Sequence, residues 1–202
     1  GVTMRRYGRS LDPLPDGERE RSSSRSAVSR RFVALTQQRL AESFSKPLNE
    51  LDLRVVMVDG IAFREHCVLL ALGVAADGAK HVLGLWEGST ESSAVAKSRL
   101  RDLIERGLPT DRALLFVIDG SKALRKAIRD VFGGLGLVQR CQVHKQRNVL
   151  EHLPEALRPS VRRALRQAWE SSSAELARRQ LERLAASLET EHPGAAASLR
   201  EG

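Results

Sequence analysis

Residues 113–120 read Ala-Leu-Leu-Phe-Val-Ile-Asp-Gly. Six apolar residues in an unbroken row suit a strand buried on both faces. The row stops abruptly at Asp119-Gly120. A second run, Arg54–Val58, stops the same way at Asp59-Gly60. Two apolar strands, each followed by Asp and Gly, set the frame for the rest of the chain.

Working outward from this pair, Cys67–Ala75 is a further apolar run. Asp77-Gly78 after it is a hairpin turn signal, and His81–Trp86 is the partner strand. Glu91–Arg106 has helical period, with Val95, Leu100, Leu103 and Ile104 on one side. Gly107 closes it and Pro109 confirms the stop. Lys122–Val131 is a short helix broken at Gly133-Gly134, and Leu137–Val143 reads as a last strand. From His144 onward the period is helical, with Leu157, Val161, Leu165 and Trp169 on one helix and Leu176, Leu181, Leu184 and Leu188 on the next.

The first three strands are joined by short turns and should form an antiparallel meander. The fourth and fifth follow helices and should add in parallel. The expectation is an α/β fold: a five-stranded mixed sheet with helices on both faces. Residues 1–26 sustain no period and carry Arg5, Arg6, Arg9, Arg19, Arg21 and Arg25, which suits a flexible basic arm. Residues 27–47 form a separate helical stretch with Arg30 and Arg31 among Val28, Phe32, Leu35 and Leu40. The strands and their helices fill 52–150, and helices fill 151–202.

Composition sets limits on function. No apolar run approaches the roughly 20 residues of a membrane span, and no leader is visible, so a cytoplasmic chain is expected. Cys67 and Cys141 make no disulfide framework. The net charge of +8 points to a polyanionic partner.

Asp59 and Asp119 hold equivalent places at strand ends. If their strands are parallel neighbours, the carboxylates emerge side by side. Two carboxylates that close repel, and a cation between them relieves this. Hard oxygen ligands with open positions suit Mg²⁺ or Mn²⁺ in phosphodiester chemistry. Against this stands the reading of each Asp-Gly as only a turn. A haloacid-dehalogenase-like phosphatase also places Asp after its first strand, but it needs a second Asp where Ile61 stands. Cys141 and His144 have half the spacing of a zinc site, and the other half is missing. Arg140, Lys145, Arg147, Arg162 and Arg163 cluster after the last strand, and Lys122 follows Asp119. Together with Arg30 and Arg31 they are the candidate DNA-backbone contacts.

Taken in order, these segments resemble a known family. They include Ala27–Phe32, Val58-Asp59-Gly60, Ala71–Val74 with Asp77-Gly78, Leu83–Leu85 leading to Glu91-Ser92, Glu105–Leu108 and Ile118-Asp119-Gly120. The most specific is QRCQVHKQRNVL at 139–150. From Ser26 on, the chain is similar to the bacterial Mutator-type transposases, the IS256 group of insertion-sequence enzymes. The resemblance implies an RNase H-like catalytic core with a DDE triad, in which Asp59 and Asp119 are the first two acids and hold Mg²⁺ or Mn²⁺. It implies that Cys141 and His144 are the Cys-x-x-His signature, and that residues near Ser29–Phe32 belong to a DNA-binding region. It further implies DNA transposition as the activity. The partners would be double-stranded DNA, as terminal inverted repeats and as target, with possible homo-oligomers in a transposition complex at the nucleoid. The family's third acid, a Glu in a Thr-Asn context, follows a helical insertion. No Thr-Asn pair occurs here, so the expectation is a truncated chain, with an inactive DNA-binding remnant as the alternative.

Overall fold

The computed structural model describes residues 25–88 and 92–201. The expected arm lies almost wholly outside the described residues, as does Glu91. Contacts divide the chain at Pro47/Leu48. The first unit contributes one helix, α1 (Arg25–Phe44), whose Phe32, Val33, Leu35 and Leu40 are exposed.

The second unit is built on five strands: β1 (Leu53–Phe63), β2 (His66–Ala75), β3 (Lys80–Glu87), β4 (Leu114–Ile118) and β5 (Gly136–Arg140). Their order is β3-β2-β1-β4-β5. β1, β2 and β3 pair antiparallel, and β4 and β5 add in parallel, as the connections require. At Asp77-Gly78 the Asp77 carboxylate accepts from Ala79 N–H at 2.8 Å, and Gly78 takes a positive φ of 85°. Helix α2 (Ser93–Glu105) is capped by Ser92 and ends in a Schellman turn. Leu108 N–H donates to Leu103 O, Gly107 N–H donates to Ile104 O, and Gly107 sits at φ 102°.

α2 and α3 (Lys122–Phe132) pack on one face of the sheet. Their core includes Val56, Val58, Leu69, Ala71, Leu83, Leu100, Leu103, Phe116, Ile118 and Ile128. Phe116 and Phe132 meet at 4.9 Å between ring centroids.

Four features differ from the reading of the sequence. β1 does not stop at Asp59-Gly60. It continues to Phe63 because β2 pairs with it to Phe63↔His66, and the chain reverses at Arg64, which holds a φ of 55°. β5 ends at Arg140, not Val143. Cys141 N–H donates to Ile118 O at 2.7 Å, and α4 (Gln142–Glu151) starts at once. Val95 faces out of α2, which buries Ala96 instead.

The fourth difference concerns the layers. Among the described residues of the second unit, α2 and α3 pack on one face of the sheet only. α4, α5 (Arg158–Trp169), α6 (Ala174–Leu188) and α7 (Pro193–Arg200) bury their stripes against one another, around Val149, Leu153, Val161, Leu165, Leu188 and Ala195. The helical layer therefore begins at α4, ahead of residue 151. Among the described residues, Met57, Ile61, Val82, Leu85 and Leu137 on the sheet's second face stay exposed, Val82 by 53% and Leu137 by 52%.

Candidate metal and nucleic-acid site

The last paired residues of the parallel β1/β4 ladder are Val58 and Ile118. Asp59 and Asp119 are the next residue on each strand. Because side chains alternate, Asp59 falls on the face opposite buried Val58, while Asp119 leaves the strand directly after buried Ile118. Their neighbours treat them differently. Asp59 is still in a strand, paired with Leu70 of β2, so the turn reading fails there. Asp119 does open a turn. Gly120 holds φ 107°, and the Asp119 carboxylate accepts from Ser121 N–H at 2.9 Å. The Ser121 hydroxyl in turn caps α3 by accepting from Leu124 N–H at 3.2 Å. This fixes one Asp119 oxygen.

Cys141 and His144 come to the same edge. The Cys141–Ile118 bond pins the start of α4 beside the end of β4. One turn later, His144 Nε2 lies 3.6 Å from Asp59 Oδ1, while its buried Nδ1 has no hydrogen-bond partner. Cys141 is a half-buried free thiol. The Cys-x-x-His spacing here places an imidazole against Asp59.

Two carboxylates on adjacent parallel strands offer the hard oxygen donors that Mg²⁺ or Mn²⁺ takes, and such ions keep several waters. Among the described residues, no three His, Cys, Asp or Glu side chains converge as an ion site. The donor set thus fits part of such a site: two acids, with the imidazole beside one of them.

The candidate DNA contacts divide into two groups. Arg30 and Arg31 on α1, Lys122 at the start of α3, Arg147 on α4, and Arg162 and Arg163 on α5 are exposed. Arg166 joins the last two on the outer face of α5, which contains no acidic residue. Arg140 and Lys145 are the correction. Arg140 has a side-chain exposure of 11% and donates from Nη1 to Glu201 O at 2.7 Å. Lys145 is 7% exposed, and its ammonium donates to the carbonyls of Ser198 and Glu201. Both charges are used inside the fold and are not presented to a phosphate. Asn148 completes the cluster when its amide is turned end for end, its oxygen then accepting from Arg140 Nη2 at 3.2 Å. Nothing local marks the contacts of Arg140 and Lys145 with Ser198 and Glu201, which join residues more than fifty positions apart.

Burial, and secondarily Arg140, push the Lys145 ammonium down to about 8 from 10.5, against some support from Glu201. Between those two values the unfolded chain holds a proton that the folded chain lacks, so stability rises with pH across that window. The buried charge is a penalty at neutral pH that lifts as the amine deprotonates. The expected gain from pH 8 to pH 10 is about 2 kcal/mol, read from urea midpoints, and Lys145→Met should flatten it. A wild-type stability that falls across this window would contradict the assignment.

Among the described residues no helix is long and apolar enough to cross a membrane. The model of the family "Transposase, Mutator family" matches residues 1–202. The transposase for insertion sequence element IS6120 of Mycolicibacterium smegmatis is 30% identical over 177 residues, covering 85% of this chain and 54% of that one. The transposase for insertion sequence element IST2 of Acidithiobacillus ferrooxidans is 33% identical over 135 residues, covering 67% and 45%. Among solved structures, a simian T-cell lymphotropic virus intasome in complex with PP2A regulatory subunit B56 gamma aligns at a TM-score of 0.30 and 12% identity. It covers 75% of this chain and 49% of that one. The chain spans about half the length of these transposases. With the family model matched from end to end, the chain belongs to the Mutator family of transposases.

Proposed function

We propose that this chain carries two acids of a metal-dependent DNA strand-transfer centre, with Asp59 and Asp119 as the ligands. The observation that supports the reading is the register Val58↔Ile118, after which Asp59 and Asp119 are the next residues at the end of a parallel ladder. Mg²⁺ or Mn²⁺, when bound, supplies positive charge for a phosphodiester oxygen and a more acidic water. Asp119 is aimed by the Ser121 turn, and Asp59 is flanked by His144. The exposed arginines of α5 and Arg147 bind and orient the duplex through its phosphates.

A second reading is duplex binding without cleavage, as in a transposase remnant. It is favoured by the finding that, among the described residues, no three His, Cys, Asp or Glu side chains group as an ion site. One experiment separates the two. A 30-base-pair duplex is titrated at several salt concentrations, and a supercoiled plasmid is incubated with Mn²⁺. Binding should weaken steeply with salt, at about 0.9 in log–log slope per phosphate contacted. Replacing Arg162, Arg163 and Arg166 together by Ala should lower that slope by about 2.7. Nicking that disappears in Asp59→Asn supports the centre. Binding with no nicking supports duplex binding by this chain alone. A salt-insensitive chain would sink both.

A further inference from the structure

Arg140 and Lys145 stand on either side of the β5–α4 turn and send their charges to one place, the C-terminal end of α7. Lys145 Nζ donates to Ser198 O and Glu201 O. Arg140 Nη1 donates to Glu201 O at 2.7 Å and lies 3.5 Å from Glu201 Oε2. The last carbonyls of a helix lack partners in the helix and carry partial negative charge, so cations suit them. An exposed lysine could do this with no loss of hydration. Lys145 does it buried, and burial depresses its charge. The local energetics of capping alone do not account for that arrangement.

The other side of Arg140 supplies the reason. Its buried Nε has no hydrogen-bond partner. It lies over Gly120, where a Cβ would meet Nε at 2.8 Å and Cζ at 2.9 Å. Gly120 is the middle of the turn that aims Asp119. One guanidinium therefore touches both the carbonyl of Glu201, which caps α7, and the peptide next to the acid. Lys145 holds the same carbonyl from the other side, and Asn148 holds Arg140 from behind.

We propose that Arg140 and Lys145 are positioning residues. They form a two-cation clamp that couples the seating of α7 to the Asp119–Ser121 turn, and so to the direction of the Asp119 carboxylate. The importance of that direction rests on the functional reading above, but the coupling itself does not. The helical layer and the strand ends then report on each other. When α7 lifts, Arg140 loses its carbonyl and the turn beneath it loses its lid.

Hydrogen exchange on the full chain tests this. Two variants loosen α7 from opposite sides. Lys145→Met removes half of the clamp. Arg200→Ala removes the outer tether to Glu182 and Glu189, which is solvent-exposed and leaves the clamp intact. In both, amides 197–201 and amides 121–124 should speed up together, by roughly tenfold, while β1 and β4 keep their rates. If α7 speeds up and 121–124 do not, the cations are only a helix cap and the proposal falls. It also falls if neither segment changes. Should Lys145→Met fail to fold, Arg200→Ala decides alone. Coupling seen in a chain that binds no Mn²⁺ supports the clamp and overturns the functional reading instead.

Discussion

Asp119→Asn is expected to lower the affinity for Mn²⁺ by at least about tenfold, or roughly 1.4 kcal/mol, with little change in thermal stability. The substitution is nearly isosteric. Asparagine keeps an oxygen that can accept from Ser121 N–H, so the turn leading into α3 survives. What disappears is one negative charge at the edge where the β1/β4 ladder ends. A carboxylate that served the core would behave the other way, with a fall in the melting midpoint and no change toward the ion. Titration calorimetry with Mn²⁺ and a melting curve on the same preparation separate the cases. Unchanged affinity would mean that Asp119 is a turn residue alone.

The largest structural effect is expected at Phe116. This ring is fully buried at the centre of β4, between Val56 on β1 and Val138 on β5 in register, and stacks at a tilt against Phe132. Phe116→Ala should cost about 3–5 kcal/mol. The loss combines the transfer energy of a ring with a cavity that the rigid sheet cannot close. Against a typical total of about 5–15 kcal/mol, that is enough to leave a large unfolded fraction. The denaturant midpoint reads it directly. A cost below about 1 kcal/mol would show that α3 can settle into the space, and that the Phe132 contact is less rigid than its geometry implies. Because β4 carries Asp119, the same variant should also blunt the metal titration, by unfolding and not by loss of a ligand.

Much of this architecture was legible in the residues. Gly107 announced the end of α2, and Asp77-Gly78 announced a hairpin, since each needs a backbone angle that other residues resist. Strand order followed from connection length. The readings that failed share one cause: local signals were silent about pairing. Asp59-Gly60 looks like a turn in one dimension, yet β2 pairs past it for three more residues. Leu137–Val143 alternates well enough to be a strand, but α4 starts at Gln142, with Lys145 N–H donating to Cys141 O. The match between Asp59 and Asp119 was visible from their place after apolar runs. The closeness of His144 to Asp59 was not, because it depends on where α4 starts. Arg140 and Lys145 looked like surface charge because nothing nearby in sequence marks the α7 carbonyls as their partners.

The bare second face of the sheet has a consequence for how this chain behaves in bulk. Five aliphatic side chains spread over β1, β2's neighbour β3, and β5 face water, while a net charge of +8 keeps copies apart. Colloidal stability is then a contest between short-range stickiness and long-range repulsion. Added salt screens only the second, over a distance that shrinks to about 8 Å at physiological ionic strength. In added salt this chain loses the repulsion that keeps it dispersed, and its solubility limit falls.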